Sequence, residues 1–319
     1  MNNENSTDLE YEKLKNSKFK QQKLPAWRPV PTITSTSLTF LFFGIAFIVI
    51  GIVVIKYSND IVEADQEYDT QCQINTVCNV PFTIVQQMTA PVMIYYQLNN
   101  FYQNHRRYVK SKSSSQLAGS LLTVADLTSD CDPIVNMTDL GISTSYNGIV
   151  LEGTAPANPC GLIAKSFFND TYALVAPNGT AIPINETGIA WEADIKLKYA
   201  RPTDPNNLDP NYWQTVQWTD VMNEHFMVWM RPAGLPNFRK LWGRINEDLP
   251  AGQYVMQVSN NYDVTAFTGE KFFVLSTVNA FGGKNSFLGI SYLVVGSICI
   301  ILAIAFVIGY KIHNSKKEN

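Results

Sequence analysis

Two stretches without a single Asp, Glu, Lys, Arg or His constrain this chain more than anything else in it. Phe287 to Tyr310 (FLGISYLVVGSICIILAIAFVIGY) is uncharged over 24 residues, and Leu38 to Ile55 (LTFLFFGIAFIVIGIVVI) over 18. At the α-helical rise the longer run extends about 36 Å, against a bilayer core of about 30 Å. A core helix of a soluble domain keeps a polar face, and neither run has one. A cleaved signal peptide has a shorter apolar segment, about 7–15 residues, and a small-residue cleavage site. The first run begins after 37 residues and ends in Lys56-Tyr57-Ser58-Asn59-Asp60, which predicts an uncleaved signal anchor. The expected organisation is a tail (1–37), a first span (38–55), a 231-residue middle domain (56–286), a second span (287–310) and a tail (311–319).

Charge predicts the orientation. The first tail carries six basic against four acidic residues and the last tail three against one, a net +2 each. The middle carries 15 basic and 22 acidic residues. Positive flanks stay in the cytoplasm, so both termini are expected there and the middle is expected to be a lumenal or extracellular ectodomain. Nothing in this distribution calls for a nucleic-acid partner; membrane lipids are the expected surroundings of the spans.

The cysteines fit that compartment. Cys299 lies in the second span, and Cys72, Cys78, Cys131 and Cys160 all lie in the middle, an even set as an oxidising compartment favours. Three pairings are open. Nearest-neighbour closure, Cys72 with Cys78 and Cys131 with Cys160, is favoured, and chain entropy gives such loops roughly 2.4 and 3.7 kcal/mol. Zinc is the rival, but C-x5-C and C-x28-C are not the usual ligand spacings. The sequons at Asn136, Asn169, Asn178 and Asn185 cluster in the middle and predict N-glycosylation there. A fifth, at Asn5, falls in the cytoplasmic tail and is expected to be silent.

Within the tail, Leu24 to Pro31 (LPAWRPVP) is expected to be extended, with Trp27 and Arg28 as an interfacial anchor or a docking element for a partner. In the spans, Ser37, Gly44 and Gly51 recur every seven residues, as do Gly289, Gly296 and Ala303. Such a repeat keeps one helix face thin enough for another helix to approach. The two faces can pack on each other or on a partner. Gly289, Gly296 and Ala303 are taken as the partner contact, so Gly296→Leu is expected to break assembly. Neither span carries groups suited to an ion or substrate path.

In the middle, Val80–Gln87, Pro91–Leu98, Tyr254–Tyr262 and Lys271–Leu275 read as strands. Short β-like runs separated by Gly, Pro and Asn predict an antiparallel, sandwich-like domain with short helices. His105-Arg106-Arg107 invites a catalytic or anion-binding role, against a solvated turn or short helix. Asp204 and Asp209 read as turn formers. There is no G-x-S-x-G, H-E-x-x-H, P-loop or C-x-x-C, and no carboxylate pair stands out. No catalytic, metal or cofactor site is expected.

The stretches NFYQNHRRYVKS, PCGLIAKSFFNDT, GIAW, HFMVWMRPAGLPNFRKLWGRI and GGKNSFLGISYLVVGS resemble the signature blocks of the Cdc-fifty/Lem-three family, over about Trp27 to Tyr310. Those proteins are the non-catalytic β-subunits of type IV P-type ATPases, the phospholipid flippases. The resemblance implies two spans, cytoplasmic termini, a β-rich glycosylated ectodomain, and an ATPase partner that needs this subunit to leave the endoplasmic reticulum and to work. It implies that Asn169 is glycosylated, that Cys160 is the Cys of the PCG block, and that Cys131 is its mate across an insertion carrying Asn136. Relatives often have four Cys in the first cluster. Here only Cys72 and Cys78 stand, so one of two nested bridges is missing.

The expected function is therefore an accessory subunit of a flippase, with catalysis in the partner chain, moving from the endoplasmic reticulum to Golgi, endosome or plasma membrane. The alternatives are a subunit of a two-helix, ectodomain-gated ion channel and a surface receptor or adhesion protein. Lys316-Lys317-Glu318-Asn319 resembles a dilysine retrieval signal, against a plain basic stop after a span. If partner assembly masks it, changing both lysines to Ser is expected to send the unassembled subunit forward. Imaging the lone subunit checks this, and an unchanged location removes the idea.

Overall fold

The computed structural model describes residues 12, 14–23, 31–207 and 209–318; Asn5 and the Trp27–Arg28 anchor lie outside them. By contacts the chain divides into two units, one holding the two long helices and one spanning Lys56–Ser286.

In the first unit, α1 (Ile33–Asn59) and the last helix (Ser286–Glu318) are long and apolar enough to cross a membrane. Each extends beyond its uncharged run, because helix geometry continues through the polar residues at both ends while only the apolar segment needs the bilayer. Large side chains such as Phe42, Ile45, Val294 and Ile301 stand exposed, as a lipid-facing surface requires.

The second unit is a pair of four-stranded antiparallel sheets. Its strands are β1 (Glu63–Glu67), β2 (Thr76–Ile84), β3 (Val92–Asn99), β4 (Thr171–Val175), β5 (Ala181–Ile182), β6 (Phe238–Ile245), β7 (Gly252–Asn260) and β8 (Glu270–Thr277). The order is β1-β8-β3-β6 in one sheet and β2-β7-β4-β5 in the other. Alternation explains the inner faces: β3 buries Val92, Ile94, Tyr96 and Leu98, and β7 buries Tyr254, Met256 and Val258. One core cluster joins these rows.

Four strands, β1, β4, β5 and β6, escaped sequence patterning, and for β6 and β1 the physical reason is visible. β6 carries an extra residue, Trp242, where its register against β3 shifts between Ile94 and Tyr95; a bulge breaks the two-residue alternation. β1 is an acidic edge strand pairing only with β8, and charge on an edge is how sheets avoid pairing with other chains. Pro81 sits in β2, which pairs only with β7, an edge position that tolerates a missing N–H.

Short helices connect the strands: α2 (Arg106–Lys110), α3 (Ser114–Leu117), α4 (Val124–Cys131), α5 (Met137–Leu140), α6 (Leu162–Lys165), α7 (Glu192–Leu197), α8 (Trp213–Val216) and α9 (Glu224–Trp229), which makes the C-terminal span α10. Residues 124–160 enclose a small second core around Leu127, Met137 and Leu140.

Candidate functional site

The cysteines pair as the favoured closure has it, Cys72 with Cys78 and Cys131 with Cys160. The second bridge ties the small core to the PCG block. There Gly161 adopts φ +97°, and a Cβ would lie 2.2 Å from the Ser111 carbonyl oxygen, so only glycine fits. Ser111 Oγ donates to the Cys131 carbonyl and accepts from Leu162 N–H. Gln116 donates to the Ala157 carbonyl and accepts from Cys160 N–H.

The sequence blocks far apart in the chain converge on Trp229. Its indole donates to the Ile163 carbonyl of the PCG block at 2.8 Å. Tyr96 stacks on Phe168, and both rings face Trp229. From the first block, Gln103 accepts from Ala233 N–H and Asn104 donates to the Gly234 carbonyl, so this block holds the RPAGLP turn. The carboxylate of Glu224, at the start of α9, accepts three backbone N–H groups, from Gly188, Ile189 and Ala190. That fixes the GIAW block and leaves Trp191 exposed, with the Arg231 guanidinium 4.6 Å above its ring. His105, Arg106 and Arg107 are all exposed, and Arg107 meets the exposed Asp132 at 3.7 Å. The solvated reading of this triplet holds. Asp204 and Asp209 each accept a backbone N–H two residues on, as turn formers do.

Two buried lysines were not singled out from sequence. Lys271 is 1% exposed and Asp170 fully buried. Lys271 Nζ donates to Asp170 at 2.8 Å, and also to Asn260 and the Tyr262 carbonyl. Asp170 further accepts from Tyr68 OH at 2.7 Å and from the backbone N–H groups of Asn261 and Tyr262 at 2.6 Å. This network fastens β4 to β7 and β8 across the core. Burial lowers the Lys271 pKa, and the nearby Asp170 carboxylate works against that shift; burial pushes Tyr68 and Tyr172 well above the usual phenol range.

Lys240 differs because its partners are carbonyls, those of Val228, Trp229 and Arg231 at 3.2, 2.6 and 2.7 Å, at the C-terminal end of α9. Its ammonium lies 4.8 Å from the Trp229 ring. Burial drives its pKa well below the ordinary 10.5. The sequence signal was there: Lys240 lies in the inward row between Phe238 and Trp242, and Lys271 in the row with Phe273 and Leu275.

The sign of the resulting pH dependence follows. Above its lowered folded pKa and below 10.5, Lys240 holds more proton in the unfolded chain, so stability rises with pH there. Above about pH 10 the core tyrosines ionise only in the unfolded state, and stability falls. Denaturant melts of the full-length protein between pH 7 and 11 should show that rise and fall. Lys240→Met is expected to flatten the rising limb, and an unchanged limb counts against the assignment.

The sequons lie on the surface or at its margin. Asn169 and Asn178 are exposed, and Asn136 and Asn185 half-buried. Asn136 caps α5 through Oδ1, which accepts from Asp139 N–H at 2.9 Å; the cap uses the oxygen and not the amide nitrogen that a glycan takes. In Asn185, Oδ1 accepts from Thr187 N–H and Oγ1.

The small-residue faces meet each other. A Cβ at Gly296 would lie 2.9 Å from the Gly44 carbonyl oxygen, and one at Gly51 would lie 3.0 Å from that of Gly289. Ser37 and Ala303 are likewise buried. Within this unit the chain's own α1 packs on the face of Gly289, Gly296 and Ala303, one of the two arrangements the sequence allows, because two faces with the same seven-residue period are complementary to each other. Lys316 is exposed near the end of α10, which runs through Lys317 to Glu318. No group of three or more His, Cys, Asp or Glu suited to a metal occurs among the described residues.

Comparison with known proteins gives a family. The model of the LEM3 (ligand-effect modulator 3) family / CDC50 family matches residues 8–316. The chain is 41% identical to ALA-interacting subunit 3 of Arabidopsis thaliana, over 93% of this chain and 86% of that protein. It is 36% identical to cell cycle control protein 50A of Mus musculus, over 94% and 90%, and 33% identical to cell cycle control protein 50B of Homo sapiens, over 92% and 93%. With the match running through both long helices, both sheets and every converging block, the chain belongs to the LEM3/CDC50 family.

Proposed function

We propose that this protein is the non-catalytic β-subunit of a type IV P-type ATPase that moves phospholipid from the exoplasmic to the cytoplasmic leaflet. The observation that carries the reading is the family match over residues 8–316, spanning both helices and the whole ectodomain. The plant relatives support it, being named as subunits that interact with another protein. In this role both termini lie in the cytoplasm, and the ectodomain covers exoplasmic loops of the ATPase and carries glycans at Asn136, Asn169, Asn178 and Asn185. Assembly supports partner folding and export from the endoplasmic reticulum towards Golgi, endosome or plasma membrane. The subunit aids turnover only by binding some conformations of the ATPase better than others. Because the glycine faces are closed on each other, the partner's helices contact the outward faces of α1 or α10.

An ion-channel subunit fits less well. The span hydroxyls of Thr39, Ser291 and Ser297 each donate to a carbonyl of their own helix one turn back, so these three are not free to line a pore. The test is purification of the tagged protein in mild detergent and mass spectrometry of what accompanies it. A stoichiometric P-type ATPase is the expected result. A homotrimer without ATPase, carrying current in a bilayer, overturns the reading.

A further inference from the structure

The helix pair is asymmetric near the end that carries the chain termini. On one side Phe40 and Phe306 close the seam, with ring centroids 5.8 Å apart. Elsewhere at that end lies a groove of about 520 Å³ walled by Leu38, Leu41, Ile304, Val307 and Ile308. Ser37 and Ala303 also line it, 7% and 5% exposed. Their small side chains are what make it deep. Ile33, Thr34, Tyr310 and Lys311 line its end nearest the chain termini.

Ser37 is the anomaly. Thr39, Ser291 and Ser297 satisfy their hydroxyls on their own helix, the usual solution in a membrane helix. Ser37 Oγ is buried and makes no hydrogen bond among the described residues, although an unpaired polar group is costly there. Lys311 lies eight residues beyond Ala303, about 12 Å along α10. Helix side chains lean towards the N-terminus, so its stem leans back over the groove. An apolar trough with a hydroxyl at its floor and a cation at its end matches the order of parts in one kind of molecule: acyl chain, ester carbonyl, phosphate.

We propose that this groove binds one anionic phospholipid, with an acyl chain between Leu41 and Ile304, the phosphate on Lys311, and an ester carbonyl accepting from Ser37 once its hydroxyl turns about χ1 to face the groove. The charge at the groove's end selects an anionic head group over a zwitterionic one. The lipid would lie in the leaflet next to the chain termini and fill a surface that the helix pair leaves open.

The test is native mass spectrometry of the full-length protein in detergent, titrated with dioleoylphosphatidylserine or dioleoylphosphatidylcholine. One tightly held phosphatidylserine is expected. Lys311→Gln should weaken it about fivefold, the worth of one lysine near an anionic lipid, and leave phosphatidylcholine unchanged. Lys311→Arg should retain it. Ile304→Trp, at an exposed position on the groove wall, should fill the trough and abolish binding. Equal retention of both lipids, or phosphatidylserine binding unaffected by Lys311→Gln and by Ile304→Trp, overturns the proposal. So does displacement of the lipid on assembly with the ATPase, which would assign the groove to a partner helix.

Discussion

Replacing Asp170 by Asn is expected to destabilise the ectodomain by about 3–5 kcal/mol, the usual loss when one partner of a buried ion pair is removed. Both charges are out of water: Lys271 is 1% exposed and Asp170 not at all. The amide oxygen of the substituted side chain still accepts from the backbone N–H groups of Asn261 and Tyr262 that now bond to Asp170, but the Lys271 ammonium is left uncompensated. The Asn169 sequon stays intact, since the sequence becomes Asn-Asn-Thr. A change in stability therefore reports the ion pair and not a lost glycan. Denaturant unfolding of the full-length protein, followed by the fluorescence of the buried Trp213, Trp229 and Trp242, measures it. The double change D170N/K271M removes both charges and should recover part of the loss. If D170N costs under about 1 kcal/mol, the range of an exposed pair, the network does not hold the sheets together.

Gly296→Leu is expected to force the membrane helices apart. The first atom added meets the Gly44 carbonyl oxygen at 2.9 Å and Ile48 Cγ1 at 2.9 Å. A side chain can rotate away from such a contact, but the backbone of α1 cannot, so the helix axis itself must move. Overpacking a core costs about 1–3 kcal/mol where side chains yield, and here there is less to yield. With Cys299, the free thiol, changed to Ala, a Cys pair at Phe40 and Phe306, whose rings meet at 5.8 Å between centroids, should be joined by a short bismaleimide reagent. Adding Gly296→Leu should reduce the crosslink to background, whereas Gly309→Leu, at a position with open space around it, should leave it intact. Undiminished crosslinking in the Gly296→Leu variant rejects the close crossing. Loss of ATPase co-purification in the same variant would then reflect a displaced helix pair rather than a blocked contact on that face.

Much of the plan was legible in the sequence because it rests on one-dimensional quantities. The absence of charge over Leu38–Ile55 and Phe287–Tyr310 marks long apolar helices whatever else the chain does, since lipid offers no partner for an exposed polar group. Period-two rows announced β3, β7 and β8. The family, too, was readable from ordered blocks. What those blocks do was not. They are over a hundred residues apart in places, and only the fold shows them meeting around Trp229, with Glu224 fastening GIAW and Gln103 fastening the RPAGLP turn.

Composition and period were enough to establish that two apolar helices enclose, along the chain, a β-rich domain with four cysteines, because both quantities act on local structure and burial. Which surfaces are already used was settled by the packed fold alone. A glycine stripe signals that a helix can be approached, not by what; the distances show that α1 and α10 fill each other's stripe. A lysine in a strand signals nothing until both its neighbours in the inward row are known to be core. Lys271 then finds a carboxylate and Lys240 three carbonyls, from residues that no spacing rule links to them. Contacts between distant segments depend on register, bulges and sheet order, and those are settled by packing the whole domain at once.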